Sequence, residues 1–507
     1  MIRNLTEQSK LFFWTLLGLI IAEGASFLSF FNPIIGLVVG GIIVLATLLL
    51  SLKNIRNGLL IVVAELIIGS QGYLFFYDLG GSKISLRIAL WIVVMGVWAG
   101  NTILHFFRDK NYLKTFKNFP YVKQLLLLAS VLLLGVVVAL VSKNDQIFFF
   151  LELKRWLYIL LLLPLVSSFK STEDITKLAT VIVGAILALC LKVVILIYIF
   201  SHSFLPLVYD VYGWMRLHLL GEITRWPSGF SRIFMQSQIF ILPAAVTFFL
   251  VAYRKIKSRT LSLNTKSVAI VILSIASISV IIASLSRSFW VGAIIGGLVT
   301  GIAYTSVHRP RIKQIIGFSL TLFGSLVLST LFLFAIVRFP FPDPSANIDA
   351  SLLTDRATTI EAGAASRWSL LPVMWEEIKK SPLLGYGFGK SLTYETYDPR
   401  IVLTGGSGEY TTYAFEWGWL DMWLKFGIFG LIAFAWLFWK MFKDALYLLR
   451  RQALIGSLII FSLVSIIVVH FFTPYLNHPL GFAYIGFLII VLENRKNIHI
   501  LETPSKA

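Results

Sequence analysis

Long apolar runs separated by short polar clusters make up most of this chain. A helix rises about 1.5 Å per residue, so roughly 20 apolar residues cross the hydrocarbon core of a bilayer, which is about 30 Å thick. Lipid excludes unpaired backbone groups, so these runs are predicted to form helices and not open strands. About fourteen spans are predicted, at residues 11–31, 34–52, 58–77, 86–107, 121–142, 147–168, 178–200, 233–253, 267–286, 289–306, 315–337, 418–440, 454–473 and 479–492.

Basic residues alternate along the connections between these runs. Lys and Arg gather in every second connection, whereas the short ones between them, at 32–33, 143–146 and 474–478, contain a single basic residue, Lys143. Cytoplasmic connections carry an excess of Lys and Arg, so both termini are predicted to be cytoplasmic. The first run has no small-residue cleavage site after it and is interpreted as a retained span, not a signal peptide.

The composition agrees with lipid as the solvent of this all-α, polytopic membrane protein. Hydrophobic residues make up 57% of the 507 and charged residues 14%, against about 25% charged residues in soluble domains. The net charge of +19 lies in short clusters between apolar runs, where it sets orientation, and no nucleic-acid partner is predicted. A single cysteine, Cys190, excludes a disulfide within the chain.

Two connections on the predicted outer side are long, at 201–232 and 338–415. The second opens with a Pro-rich stretch and continues with a predicted amphipathic helix from Ala364 to Lys380, a Gly-rich turn and a polar segment. Loops of this length usually carry function. The chain is therefore interpreted as one polytopic membrane domain, 1–507, with two extracytoplasmic loops.

The junction of the ninth and tenth spans carries the first candidate for chemistry, Arg287 within Ser284-Leu-Ser-Arg-Ser288. An arginine between two apolar runs costs a few kcal/mol unless it reaches the interface or an anion. Arg287 is thus either a functional residue or a marker of the interface beside Trp290.

The large loop and the next span carry two further candidates. Arg367 begins the predicted loop helix, and Pro382-Leu-Leu-Gly-Tyr-Gly-Phe-Gly389 follows it; its alternate glycines allow a tight turn and a close approach to a ligand. A nucleotide P-loop is not favoured there, because the first glycine of that motif would fall on Leu384. Glu416, just before the twelfth span, is either a general base for a sugar hydroxyl or a structural partner of an arginine.

Other ionisable residues lie inside apolar runs. Glu23, Glu65 and Lys192 are candidates for a proton or ion path, or they form structural pairs. Asp421 and Lys425, four residues apart, are predicted to pair on one helix face. The sixth span is the least regular, because its start carries three charged residues, namely Glu152, Lys154 and Arg155.

Several of these motifs, taken in order, resemble the O-antigen ligase and polymerase family of bacterial envelope biosynthesis. The resemblance is carried by Ser286-Arg287-Ser-Phe-Trp290, by Arg367 with Pro382–Gly389, and by Leu424-Lys-Phe-Gly-Ile-Phe-Gly430. Arg225-Trp-Pro-Ser-Gly-Phe230 is a looser match. The matching motifs span about 225–440, and the N-terminal half resembles the family only in being hydrophobic.

The resemblance implies an enzyme of the bacterial cytoplasmic (inner) membrane, with the all-helical fold of lipid-sugar (GT-C) glycosyltransferases. Such enzymes move a glycan from an undecaprenyl-pyrophosphate carrier to a lipid or glycan acceptor on the outer face, without a metal or other cofactor. Membrane lipids and other polysaccharide-assembly proteins are the further partners implied.

Arginines suit this chemistry because guanidinium groups grip phosphate bidentately. Arg287 and Arg367 are predicted catalytic residues that stabilise the departing pyrophosphate. Substrate binding is predicted for four more basic residues: Arg225, Arg232, Lys390 and Arg400.

One departure from the family pattern concerns the acceptor. Family ligases carry a histidine eleven residues before the first glycine of the Gly-x-x-Gly pair, and counting back from Gly427 places Glu416 there. Glu416 is therefore predicted to be the catalytic base, and a polymerase or related transferase is favoured over a ligase. The alternatives are a ligase, a transporter of a small solute and a non-catalytic assembly partner. Polar residues gathered at the outer boundary favour catalysis over transport.

Overall fold

The computed structural model describes residues 6–79, 82–108, 119–226, 228–258, 265–346, 362–396 and 408–496. Within these ranges the chain is mostly helical. The helices are α1 (Glu7–Phe31), α2 (Pro33–Lys53), α3 (Ile55–Ile68), α4 (Leu86–Arg108), α5 (Val122–Val141), α6 (Gln146–Trp156), α7 (Leu162–Ser168), α8 (Thr172–Ser201), α9 (Leu207–Leu217), α10 (Ile241–Lys257), α11 (Thr265–Ala283), α12 (Arg287–His308), α13 (Ile312–Val337), α14 (Ala362–Lys380), α15 (Gly418–Arg451), α16 (Ala453–Phe472) and α17 (Pro479–Glu493).

Short antiparallel hairpins interrupt the helices, and the sequence did not predict them. In the described residues they pair β1 (Phe76–Leu79) with β2 (Ser82–Ser85), β3 (Glu222–Arg225) with β4 (Ser231–Phe234), and β5 (Leu392–Glu395) with β6 (Glu409–Thr412). Each hairpin has only two strands and lies in a connection. The predicted helical class therefore holds for the apolar segments.

Ten helices in the described part of the chain are long and apolar enough to cross a membrane: α1, α2, α4, α5, α8, α10 with the 3₁₀ turn before it, α12, α13, α15 and α16. Shorter apolar helices span Ser267–Ala283 and Pro479–Glu493. The chain is thus a multi-pass membrane protein. Fourteen spans remain a prediction.

Two predicted spans differ from the observed helices for local reasons. The third, 58–77, ends early because α3 stops at Ile68 and the next turn places Gly72 at φ +94°, a conformation that favours glycine. The sixth, 147–168, is divided by a 3₁₀ segment, Leu157–Leu161. Pro164 follows closely, and a proline removes one helical hydrogen bond and crowds the carbonyl four residues earlier.

Small residues bring α12 against α16. A Cβ on Gly292 would lie 2.6 Å from a methyl of Val469, and one on Gly296 would lie 2.3 Å from the Ser465 hydroxyl. Ser465 Oγ donates to Gly292 O at 3.0 Å. Small residues four apart allow helix backbones in lipid to approach closely. This packing sets the start of α12 beside the end of α16.

The first long connection contacts the beginning of the second. Ser345 N donates to Ser201 O at 2.9 Å, and Ser203 N donates to Asp343 O at 3.2 Å. A Cβ on Gly229, in the turn of the β3–β4 hairpin, would lie 2.7 Å from Ser345 O. Residues from both predicted outer loops therefore meet at one end of the bundle.

Charges inside the N-terminal apolar segments form closed pairs. Arg87 donates to both carboxylate oxygens of Glu65, at 2.9 and 3.1 Å, and to Ser70 O at 2.7 Å. Lys192 Nζ donates to Glu23 Oε1 at 2.7 Å. Each carboxylate has one cation, so the structural-pair interpretation of Glu23, Glu65 and Lys192 accounts for these contacts without a transport path.

Candidate active site

The Ser284–Ser288 junction lies between α11 and α12 and carries Arg287. Arg232, on β4, donates from Nε to Ser284 O at 2.8 Å. Two hydroxyls of the junction, Ser286 Oγ and Ser288 Oγ, lie 3.0 Å apart. The structure thus brings the predicted Arg232 to the backbone of the junction that carries the predicted Arg287, which is half-buried at the first position of α12.

The turn between α16 and α17 borders this junction. Thr473 Oγ1 donates to Ser288 Oγ at 3.1 Å, and the Tyr475 hydroxyl donates to Gln236 O at 2.9 Å. The turn is held in shape by His470, whose Nδ1 accepts from the backbone N–H groups of Tyr475 and Leu476 at 3.0 and 3.1 Å. The end of α16 is therefore fixed against the start of α12.

Arg367 and Glu416 form an ion pair, Nε to Oε2. The Trp417 indole donates to Arg367 O at 2.9 Å, and its ring packs on Phe471 and Phe472 at centroid separations of 5.6 and 6.2 Å. The side chains of Arg367 and Glu416 keep 42% and 50% of their surface exposed. The pair thus lies at the same end of α16 as Thr473 and is open to solvent.

The Gly-rich turn, Pro382–Gly389, inserts into a break in α15. Gly427 has φ 61° and ψ −162°, so the helix is interrupted there. Ile428 N donates to Pro382 O at 3.0 Å, Tyr386 N to Leu424 O at 2.9 Å and Gly387 N to Lys425 O at 2.8 Å. The turn replaces the hydrogen bonds that the break removes from the helix.

Glycine is required in this turn because three helices approach it. A Cβ on Gly385 would lie 2.6 Å from the Lys425 carbonyl carbon, one on Gly387 2.3 Å from Gly135 O, and one on Gly389 2.6 Å from Phe149 N. All three glycines have positive φ. The close approach that the sequence suggested for a ligand is made instead to α15, α5 and α6.

A buried charge trio lies beside the turn and consists of Glu152, Asp421 and Lys425. Lys425 Nζ contacts both carboxylates and donates to Tyr413 O at 2.9 Å, and the three side chains are at most 5% exposed. Glu152 Oε2 accepts from Gly389 N at 2.8 Å. The predicted pairing of Asp421 with Lys425 is confirmed, and Glu152 adds a carboxylate from the irregular sixth span.

The turn after α16 also reaches this trio. Asn477 Nδ2 donates to Asp421 Oδ2 at 2.8 Å. The trio therefore joins α6, the Gly-rich turn, α15 and the α16–α17 turn. With one cation for two carboxylates, it is stabilised by its neutral donors as well as by Lys425.

Sequence reasoning missed Arg155 as a site residue. Its guanidinium contacts the Tyr413 hydroxyl at 3.5 Å and lies 5.6 Å from the centre of that ring, which stacks on Phe148 at 4.8 Å. Burial, with the positive charges of Arg87 and Arg155, holds the pKa of His478 well below its ordinary value. For Arg155, the signal available in the sequence was a charged side chain at the ninth position of an apolar run.

Two further predicted residues, Arg225 and Lys390, have other surroundings. Arg225 is exposed on β3, across the hairpin from Ser231. Lys390 Nζ contacts Glu377 Oε2 at 3.2 Å and lies 4.2 Å from the centre of the Tyr386 ring. Arg400 falls outside the described residues.

Glu377 is held by two lysines. A hydrogen bond from Lys380, and then one from Lys390, holds the pKa of Glu377 below its ordinary value.

In the part of the chain that the structure describes, no group of three or more His, Cys, Asp or Glu side chains is placed to hold a metal ion.

These observations define the class of protein: a multi-pass membrane protein with arginines and a carboxylate at one end of its helical bundle. The family model described as O-antigen ligase matches residues 272–435, which contain Arg287, Arg367 and Glu416. The resemblance to the O-antigen ligase family is thus confirmed over this part of the chain. No curated protein matches the chain.

Proposed function

We propose that this protein transfers or polymerises glycan from an undecaprenyl-pyrophosphate carrier on the outer face of the bacterial inner membrane. In this proposal both termini are cytoplasmic and the 201–232 and 338–415 loops are extracytoplasmic. The family match supports glycan transfer as the class of reaction. The positions of the arginines support a pyrophosphate-linked glycan as the donor substrate.

The observation that carries the proposal is a continuous set of contacts around the end of α16. Arg232 contacts Ser284 of the Arg287 junction, and Ser288 of the same junction contacts Thr473. On the other side of that helix end, Phe472 packs on Trp417, which adjoins the Arg367–Glu416 pair. Arginines from two distant sequence motifs thus border one helix end.

This arrangement suits a lipid-linked diphosphate leaving group. As the bond between the sugar carbon and the phosphate oxygen breaks, negative charge builds on the diphosphate. Fixed guanidinium groups stabilise such charge most where it develops in the transition state. Arg287 and Arg367 would supply them, and Arg232 and Arg155 lie close enough to the same loops to extend the cationic surface.

Glu416 would accept the proton of the acceptor hydroxyl as its oxygen bonds to the sugar carbon. Its carboxylate is half exposed and already oriented by Arg367. Orientation of the base by a third group is a recurrent feature of activated hydroxyl nucleophiles. Arg367 would then touch both the base and the leaving diphosphate.

A ligase is the second candidate, because the matching family model carries that description. Glu416 stands where family ligases are expected to have histidine, which places the polymerase first. The two activities differ in product: a polymerase lengthens the carrier-linked glycan, whereas a ligase moves it to a different lipid or protein.

The test uses purified full-length protein in lipid nanodiscs with an undecaprenyl-pyrophosphate-linked glycan, and mass spectrometry of the products. We expect transfer by the parent protein and its loss in Arg287→Ala and Arg367→Ala. Arg338→Ala is the matched control, because Arg338 is an exposed arginine at the start of the 338–415 loop, which also contains Arg367. Its guanidinium lies over the Phe334 ring. Unchanged products in both arginine variants, with unchanged carrier-linked glycan in cells lacking the gene, would overturn the proposal.

A further inference from the structure

One face of α14 is buried, and a second exposes two tryptophans. Leu370, Met374 and Ile378 pack on the start of α15 and are at most 2% exposed. Trp368 and Trp375 are 59% and 42% exposed. At 3.6 residues per turn these two tryptophans share a stripe with Pro372 and Lys379, roughly 130° around the helix from the centre of the buried face. The Lys379 Nζ lies 5.9 Å from the centre of the Trp375 ring, so its charged end extends from the edge of an aromatic surface.

The uncovered stripe continues beyond the helix. Leu383 and Leu384, in the Gly-rich turn, are 61% and 47% exposed. Trp375 packs edge-to-face on Trp423 of α15 at 5.7 Å, and the Trp423 indole donates to Pro382 O at 3.0 Å. The tryptophans of α14 and the two leucines are therefore joined through the first segment of α15.

The same stripe runs into the outer surface of a candidate span. Pro382 O also accepts from Ile428 N, and beyond that point α15 exposes large apolar side chains at helical spacing. These are Phe429, Ile432, Trp436 and Trp439. In a helix long and apolar enough to cross a membrane, such a face contacts lipid. The α14 stripe is continuous with that face.

We infer that the Trp368–Trp375 face of α14, with Leu383 and Leu384, docks on the bilayer, so that α14 lies in the interface between headgroups and acyl chains. Tryptophan favours this depth because its ring is apolar and its N–H is polar. A helix that presents tryptophan together with lysine at the edge of its exposed face is of the kind that lies in the interface plane. The beginning of the large loop helix is thus held at the membrane surface.

Docking of α14 also sets the depth of Arg367 relative to the membrane. The importance of that depth rests on the proposed function. Arg367 precedes Trp368 directly, so docking of the tryptophan holds the guanidinium at the level of lipid headgroups. A carrier diphosphate, joined to its lipid, lies at that level as well. The docking itself does not depend on what the enzyme transfers.

The test places a nitroxide on full-length protein in lipid nanodiscs, with the buried Cys190 replaced by serine, and measures collision with oxygen and with a water-soluble nickel chelate. Labels replace Trp368, Trp375 and Leu383 in turn. Ile432 is the lipid-facing control, and Thr393, exposed on β5, is the aqueous control. Glu376→Cys tests the same helix, since Glu376 lies on the polar side of the stripe.

We expect the oxygen-to-nickel ratio at positions 368, 375 and 383 to approach that at Ile432 and to exceed that at Thr393 several-fold, with Glu376 between them. Ratios equal to that at Thr393 would overturn the inference. Low collision with both reagents, with spin–spin broadening, would show a second copy on this face and overturn it too. Labels at Leu383 keep the test decisive if a tryptophan variant fails to fold, and none of these readouts requires glycan transfer.

Discussion

Buried charge is arranged differently in the N-terminal bundle, formed by α1 to α4 with α8, and around the break in α15 and the end of α16. In the N-terminal bundle, Glu65 has Arg87 and Glu23 has Lys192, so each carboxylate has its own cation. In the C-terminal region, Lys425 serves both Glu152 and Asp421, and the arginines nearby stay at least partly exposed. Balanced pairs complete a fold, whereas the partly exposed arginines of the C-terminal region fit the anionic substrate that we propose.

The two regions also differ in which groups satisfy the backbone hydrogen bonds of their helices. Helices of the N-terminal bundle, such as α1 and α2, satisfy their interior hydrogen bonds internally and have side-chain caps at their starts. Helix α15 depends on a distant segment, Pro382–Gly389, at its break. The C-terminal region is thus built from parts that need each other, and small changes there should have larger effects.

Removing the cation of the trio should have the largest effect. Lys425→Met leaves two buried carboxylates without their shared partner, and breaking a buried ion pair in this way costs about 3–5 kcal/mol. We expect that loss in the free energy of unfolding, measured by reversible denaturation in mixed micelles. Lys440→Met is the control, because Lys440 pairs with Asp444 at a partly exposed position of the same helix. Equal stability of the two variants would contradict the role assigned to the trio.

Arg287→Ala should separate catalysis from folding. Loss of one group that stabilises transition-state charge lowers a rate by on the order of 100-fold. We expect a decrease of this size in glycan transfer, with the unfolding transition of the parent protein. Arg338→Ala should transfer glycan at the parental rate. A variant of Arg287 that loses stability and activity together would place it among the structural residues instead.

Gly387→Ala tests the fit of the Gly-rich turn. The added methyl would lie within 2.4 Å of backbone atoms of Gly135 and Ala139, at a φ of +75°. Overpacking of this kind costs about 1–3 kcal/mol. Gly408→Ala is the matched control: it also has positive φ, but no atom of the described residues lies within 4 Å of its Cβ position. Similar destabilisation of the two would mean that φ alone, and not helix contact, explains the requirement for glycine.

Neutralising a closed pair should have the smallest effect. Replacement of a buried ion pair by neutral side chains of similar size is often nearly neutral for stability. We expect Glu23→Gln combined with Lys192→Met to change the free energy of unfolding by no more than about 1 kcal/mol and to leave glycan transfer unchanged. Lys192→Met alone, which strands Glu23, should destabilise more. Loss of transfer in the folded double variant would restore the interpretation of these residues as a functional path.

The sequence was informative where the physics is local. Apolar runs identified the long helices, spacing paired Asp421 with Lys425, and the arginine motifs identified the family region. The structure pairs Glu416 with Arg367, and the role of Glu416 as a base stays a prediction.

Contacts between distant segments could not be predicted. Glu152 meets Lys425 across 273 positions, and nothing in the local pattern of either segment specifies the other. The glycines of residues 385–389 permit a close approach without naming its partner, so a ligand and a helix were equally compatible with them. The early end of α3 was missed because the apolar run continues past Gly72, whereas the helical backbone conformation does not.

The break at Gly427 has a consequence for how the chain is made. A backbone N–H or carbonyl without a partner in lipid costs several kcal/mol, so this part of α15 cannot enter the membrane alone without that penalty. Its partners, Pro382 to Gly387, precede it in the chain and leave the ribosome first. The order of synthesis therefore supplies the missing hydrogen-bond partners before the helix that needs them, and a circular permutation that reversed this order would insert α15 unprotected.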